Sequence, residues 1–168
     1  MSADLVTFRK LIDKDWEAVS QIYLEGIETG NATFEGAVPT WDDWDKNHLS
    51  NCRLVAEIDN KVVGWCALSP ISSRKVYQGV AEISVYISSN FYGKKIGSTL
   101  LNKLIVESEA NNIWTLQASI FRENIASLRI HKKLGFRKVG YREKIGFMHG
   151  KWRDTILVER RSKIIAVN

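Results

Sequence analysis

The chain is poor in the residues that staple, kink or anchor a protein. Only two cysteines, Cys52 and Cys66, occur in 168 residues. They are far apart and outside any C-x-x-C or metal-ligand spacing, which argues against a disulfide framework and against a metal site. Cys66 falls in the apolar run Val62–Leu68 and reads as a buried core thiol. Pro39 and Pro70 are the only prolines. No linker, repeat or low-complexity stretch divides the chain, so one domain is expected over residues 1–168. No apolar run approaches the ~20 residues that cross a bilayer. Met1–Phe8 lacks the charged-then-apolar pattern of a signal peptide, and the cytoplasm is the expected compartment. The net charge of +5 comes from dispersed Lys and Arg, apart from a run between Arg129 and Arg142. No aromatic residues interleave with basic ones as in single-strand binders, so neither nucleic acid nor membrane is the expected partner.

What is present is a strand and helix pattern. Val6–Leu11 reads as a strand. Asp13 is placed to cap a helix in which Trp16, Val19, Ile22, Tyr23 and Ile27 recur at helical spacing, closed by Gly30. Thr40 caps a short helix through Trp41, Trp44 and Leu49. Arg53–Ile58 and Val62–Leu68 are two strands joined by the tight turn Asp59-Asn60. Ala81–Ile87 is a fourth strand, with Ile83, Val85 and Ile87 on one face and Glu82, Ser84 and Tyr86 on the other. A helix over Ser98–Ala110, a strand over Trp114–Ile120 and a helix over Asn124–Leu134 follow. Phe136–Arg142 and Trp152–Arg160 complete the sheet. Strands first, then alternation, predict an α/β fold with a mixed sheet and helices on both faces.

Two segments carry chemistry. Ile83–Leu101 reads ISVYISSNFYGKKIGSTLL: strand, glycine-bearing loop, helix. A helix N-terminus offers unpaired N–H groups and partial positive charge to a pyrophosphate. Gly93 and Gly97 allow close backbone approach, and Lys94 and Lys95 add charge. The spacing matches neither a Walker loop nor a dinucleotide fingerprint. The second segment, Asn124–Phe136, reads NIASLRIHKKLGF.

Together these segments resemble the GNAT superfamily of N-acetyltransferases, in which a pyrophosphate loop and helix precede an Asn-x-x-(Ser/Ala) helix ending in Leu-Gly-Phe. The similarity is closest to the branch of phosphinothricin and methionine sulfone acetyltransferases. Its marks are Asn31-Ala32-Thr33-Phe34-Glu35, Arg74 with Tyr77, Ala81–Tyr86, His131 before Lys-Lys-Leu-Gly-Phe, and Gly150-Lys151-Trp152-Arg153-Asp154. The chain departs from the pattern in the loop, where Tyr92 replaces Arg/Gln and Lys95 replaces the first glycine. A φ above zero at Lys95 would cost roughly 1 kcal/mol or more.

The resemblance implies a six- to seven-stranded mixed sheet, acetyl-CoA as co-substrate, no metal, a small-molecule amine acceptor and a homodimer. It implies Glu82 as a base working through water, and His131 as the acid or orienter for the leaving thiolate. Both residue types can move protons near neutral pH once tuned. Val85, Tyr86 and Ile87 would meet the cofactor through their backbone, with Gly93, Lys94, Lys95, Ile96, Gly97 and Ser98 around the pyrophosphate and Asn124 on the pantetheine arm. Arg74 with Tyr77 would hold an acceptor carboxylate, and Phe34 and Glu35 would line the acceptor pocket. The bland readings are a strand carboxylate for Glu82, a packed histidine for His131, a helix cap for Asn124 and a solvated arginine for Arg74. His48 and His149 read as surface residues. Trp41, Trp44 and Trp152 read as core or interface. The expected reaction is acetylation of the α-amine of a small amino acid or analogue by direct transfer. The alternatives are another amine acceptor (polyamine, aminoglycoside, protein N-terminus) and a non-catalytic CoA-binding module.

Overall fold

Strand alternation decides which core each residue joins. A computed structural model describes residues 5–168. Its strands are β1 (Thr7–Lys10), β2 (Leu54–Ile58), β3 (Lys61–Pro70), β4 (Val80–Ile87), β5 (Thr115–Phe121), β6 (Arg137–Met148) and β7 (Lys151–Arg161). Its helices are α1 (Trp16–Glu28), α2 (Trp41–Asn47), α3 (Ile96–Ala110) and α4 (Ile125–Lys133). The strands form one seven-stranded sheet in the order β1-β2-β3-β4-β5-β7-β6. Every neighbouring pair is antiparallel except β4 with β5. The expected mixed sheet with helices on both faces is therefore what the chain forms.

The period of two is visible in β2 and β3. Leu54, Ala56, Ile58, Val63, Cys66 and Leu68 join the core under α3, while Val55, Trp65 and Ala67 join the core under α1 and α2. Leu100, Leu101 and Leu104 fix α3 to the sheet and are fully buried. Truncating any one to Ala costs about 2–5 kcal/mol. Both cysteines are free and buried, and burial pushes the Cys52 thiol up to about 12.

The sheet opens in the middle. β4 and β5 pair only from Val80 to Glu82 against Thr115 to Gln117. Both strands run on, to Ile87 and to Phe121, each still paired on its outer side. The backbone of Ser84–Ile87 on the edge facing β5 thus has no strand partner.

Three local expectations change. Asp13 does not cap α1, because a 3-10 turn at Asp13–Asp15 precedes the helix. Asp15 takes the Ile12 N–H at 2.9 Å and two bonds from Arg9 at 2.7 and 2.8 Å. Burial works to raise the Asp15 pKa, but the Arg9 guanidinium and the Ile12 N–H win and lower it. α2 stops at Asn47, so Leu49 lies beyond it. β6 continues past Arg142 to Met148, carried by its pairing with β7. The Asp59-Asn60 turn and the His149-Gly150 turn both have two positive φ values, the geometry of tight hairpins. The reading of Met1–Phe8 lies partly outside the described residues. Among them, no helix is long and apolar enough to cross a membrane and no cluster is fit to hold a metal.

Candidate active site

The loop after β4 turns back into α3 at the open edge. Ser89–Phe91 forms a 3-10 turn, pinned from below by Glu25 of α1, which accepts the Ser89 N–H at 2.7 Å. Gly93 has φ +77°, which only glycine adopts cheaply, and a Cβ there would meet nothing within 4 Å. The backbone is therefore bare on its outer side. Lys95 adopts φ 62°, ψ 7° as the residue before α3, so the left-handed conformation is present and its cost of roughly 1 kcal/mol is carried. Its carbonyl accepts the Ser98 hydroxyl at 2.9 Å, the Thr99 hydroxyl at 3.0 Å and the Thr99 N–H at 3.1 Å. The Lys94 ammonium sits 5.0 Å above the Phe91 ring. Free N–H groups of the first turn, open backbone and two ammonium groups fit a pyrophosphate.

Beside the opening lies a cavity of about 480 Å³. Ser84 of β4 and Ser119 of β5 line it, so the gap between the strands and the cavity are continuous. Phe34, Glu35, Tyr86 and Glu82 line it too. The expected acceptor wall and the expected base are thus brought together. Gln117 of β5, directly across from Glu82, donates its amide to Glu82 Oε2 at 3.0 Å and fixes that carboxylate. Tyr86 stacks on Trp65 with ring centroids 4.9 Å apart, and burial raises its phenol pKa.

His48 was expected at the surface but lines the same cavity, stacked on the Trp44 indole at 4.2 Å. Its Nδ1 lies 2.7 Å from the Trp44 carbonyl. A carbonyl only accepts, so Nδ1 carries the proton and Nε2 is a bare lone pair. Burial lowers the His48 pKa, helped by Arg53. The cavity lining therefore holds three carboxylates, Glu35, Asp43 and Glu82, a neutral imidazole and no lysine or arginine.

Other expected residues stand apart from it. Arg74 and Tyr77 lie on an exposed segment between β3 and β4, the guanidinium 5.6 Å over the Tyr77 ring, and neither lines the cavity. His131 is 2% exposed, packed edge-on against Phe136 at 5.0 Å. Its Nδ1 donates to the Ser127 carbonyl at 2.8 Å, and its buried Nε2 has no partner. Burial lowers its pKa, so the neutral form can accept at Nε2 but not donate there. Asn124 is the helix cap, its Oδ1 accepting from Ser127 N at 3.2 Å. Its amide also donates to the Asn31 carbonyl at 3.2 Å, leaving one N–H for a ligand. Trp44 is 1% exposed core yet borders the cavity, whereas Trp152 is 59% exposed. His149 sits in the hairpin turn and does not line the cavity. Gln117 and His48 escaped sequence reasoning. Gln117 becomes significant only through strand register, and His48 only through the fold of α2 over β3.

A parallel pair splayed beyond its three paired residues, a glycine-bearing loop fit for an anion at the open edge and a carboxylate in the adjoining cavity form one cleft. The chain belongs to the GNAT family of acetyltransferases, whose family profile, "Acetyltransferase (GNAT) family", matches residues 14–136. It is an N-acetyltransferase that uses acetyl-CoA. A phosphinothricin N-acetyltransferase of Alcaligenes faecalis is 34% identical, over 92% of this chain and 81% of its own. An L-methionine sulfoximine/L-methionine sulfone acetyltransferase of Salmonella typhimurium is 30% identical, over 92% and 95%. The crystal structure of a GNAT superfamily phosphinothricin acetyltransferase from Sinorhizobium meliloti in complex with AcCoA superposes with a TM-score of 0.85 at 29% identity, covering 93% of this chain and 88% of that one.

Proposed function

We propose that the protein acetylates the α-amine of a small amino acid or analogue, of the phosphinothricin, methionine sulfone or methionine sulfoximine type, by direct transfer. The observation that carries this reading is the cavity that joins Glu82 to the open β4–β5 edge. Acetyl-CoA supplies an already activated acetyl thioester, so the chain has only to orient, remove a proton and meet developing negative charge. Glu82, held by Gln117, takes the proton of the acceptor ammonium through a water. The unpaired strand edge around Val85 offers an N–H to the carbonyl oxygen. Tyr86 and Ile87 extend that edge along the pantetheine, with Asn124 beside it. Gly93 to Ser98 receive the pyrophosphate. Phe34 and Glu35 wall the acceptor, and Arg74 beside Tyr77, on the exposed segment outside the lining, would have to reach over the cavity to meet its carboxylate in bidentate fashion. His131 orders the thiolate side, and it donates a proton only as the imidazolium that its burial disfavours.

One observation favours a second reading, an acceptor that is itself cationic. The lining has three carboxylates and no lysine or arginine. A homodimer and a cytoplasmic setting belong to the proposal. The exposed apolar side chains of Ile145, Phe147 and Trp152 on β6 and β7 support the first, and the two free cysteines support the second.

The test is the product. NMR of a turnover with L-methionine sulfone should place the acetyl group on the α-nitrogen, and the intact mass of the protein during turnover should show no acetyl adduct. Acetylation only of amines without a carboxylate would overturn the first reading in favour of the second.

A further inference from the structure

We infer that Arg153 is a positioning residue for the acceptor wall, and that Gly146 supplies the space the wall needs. This rests on the reading of Phe34 as part of that wall. Arg153, on β7, is 5% exposed. A buried guanidinium calls for acceptors, and this one finds two in the loop after α1, while its buried Nε has none. Nη1 donates to the Gly30 carbonyl at 2.7 Å, and Nη2 donates to Asn31 Oδ1 at 3.0 Å. Nη2 also lies 3.4 Å from Glu123. Its Cζ lies over the Phe121 ring, 4.0 Å from the centroid. Phe121 in turn meets Phe34 edge-on, ring centroids 4.6 Å apart, and both rings line the cavity.

The other side of Phe34 rests on β6. A Cβ built at Gly146 would lie 2.4 Å from the Phe34 ring. Gly146 has no positive φ, so what it provides there is space and not conformational freedom. Asn124, capping α4, holds the same loop through the Asn31 carbonyl. The loop at 30–36 has no regular structure of its own, and its place over the cavity is set by these contacts from β7, β6 and α4. A lysine at 153 would keep the charge but lose the fork that spans two acceptors and the flat face that stacks on Phe121.

The experiment compares wild type, Arg153→Lys and Gly146→Ala by two readouts. The first is amide hydrogen exchange across residues 30–36, which needs no acceptor. The second is steady-state kinetics with whichever amine releases CoA thiol fastest. Each variant should exchange at 30–36 at least tenfold faster. Each should raise the acceptor KM at least tenfold while the acetyl-CoA KM stays within twofold. Gly146→Ala, at a partly exposed strand position, is expected to stay folded even if the buried Arg153 variant does not. Unchanged exchange at 30–36 in folded Gly146→Ala and Arg153→Lys would overturn the inference, as would faster exchange with an unchanged acceptor KM. If wild type acetylates no amine offered, the proposed function fails, and the exchange arm still decides the positioning role.

Discussion

The two sides of the cleft are built by different means. On the proposed cofactor side most of the groups are backbone, namely the free edge of β4, the loop at Gly93 and the first turn of α3, with only Lys94, Lys95 and Asn124 adding side chains. On the acceptor side they are side chains gathered from five places: Phe34 and Glu35 from a loop, Asp43 and His48 from α2 and its end, Glu82 from β4, Ser119 from β5 and Thr155 from β7. A common cofactor needs a fixed arrangement of N–H groups, which secondary structure provides. An acceptor needs a shape and charge that only tertiary packing creates. Changes on the acceptor side should therefore alter which amine reacts, and changes on the cofactor side should alter acetyl-CoA binding or stability alone.

The sharpest division should come from Glu82→Gln. Turnover is expected to fall by about 10²–10⁴, the usual worth of a general base, while acetyl-CoA binding measured by calorimetry stays unchanged. Equal losses in both would erase the division. Arg74→Ala comes next. If the guanidinium meets an acceptor carboxylate, the acceptor KM should rise about tenfold or more, the loss of a charge-assisted bond. An unchanged KM, together with a raised KM in Glu35→Gln, would hand the site to a cationic acceptor.

Stability should then respond to pH through buried His131 and half-buried His48. His48 and His131 both have pKa values lowered by burial. The unfolded chain binds their protons more readily, so stability is complete above about pH 6.5 and is lost as pH falls below it. Thermal melts at pH 7.5 and 5.5 should show the lower midpoint at 5.5, and His131→Phe should flatten that slope. The smallest effect belongs to Lys95→Gly. Relief of the left-handed backbone is worth about 1–2 kcal/mol, much of it offset by the flexibility glycine adds to the unfolded chain. The melt should rise slightly. A weaker affinity for acetyl-CoA alongside would mean that the Lys95 ammonium meets the cofactor.

The same contrast explains what was legible beforehand. The cofactor side could be read because its signal is local: alternation in Ile83–Ile87, two glycines at a helix start, and Asn124 opening a helix that Gly135 closes at φ +88°. The seven strands could be placed for the same reason, apart from the far half of β6. The irregular register at Arg142–Gly146, with Lys144 at φ 48°, separates Ile145 and Phe147 from the apolar pattern before them, and this half is held as strand by pairing with β7. The splay of β4 from β5 could not be read from periodicity, since both strands keep their alternation past the point where pairing stops. The acceptor side was legible only where resemblance pointed to Phe34 and Glu35. His48 looks like any polar residue at the end of a short acidic helix until α2 packs Trp44 against Trp65 and turns the imidazole into the cavity. Arg153 looks like a solvated strand arginine until Gly30 and Asn31 close over it. Gln117 needs the register of a parallel pair that forms across α3.

The measurement that bears most directly on the whole is release of free CoA thiol from acetyl-CoA against a panel of amines. The panel should include phosphinothricin, methionine sulfone and methionine sulfoximine, with a polyamine and an aminoglycoside beside them. Fast release that depends on one of the three amino-acid analogues, and disappears in Glu82→Gln, is the expected result. Tight binding of acetyl-CoA with no release for any amine would contradict it, because the cleft would then hold the cofactor without serving an acceptor.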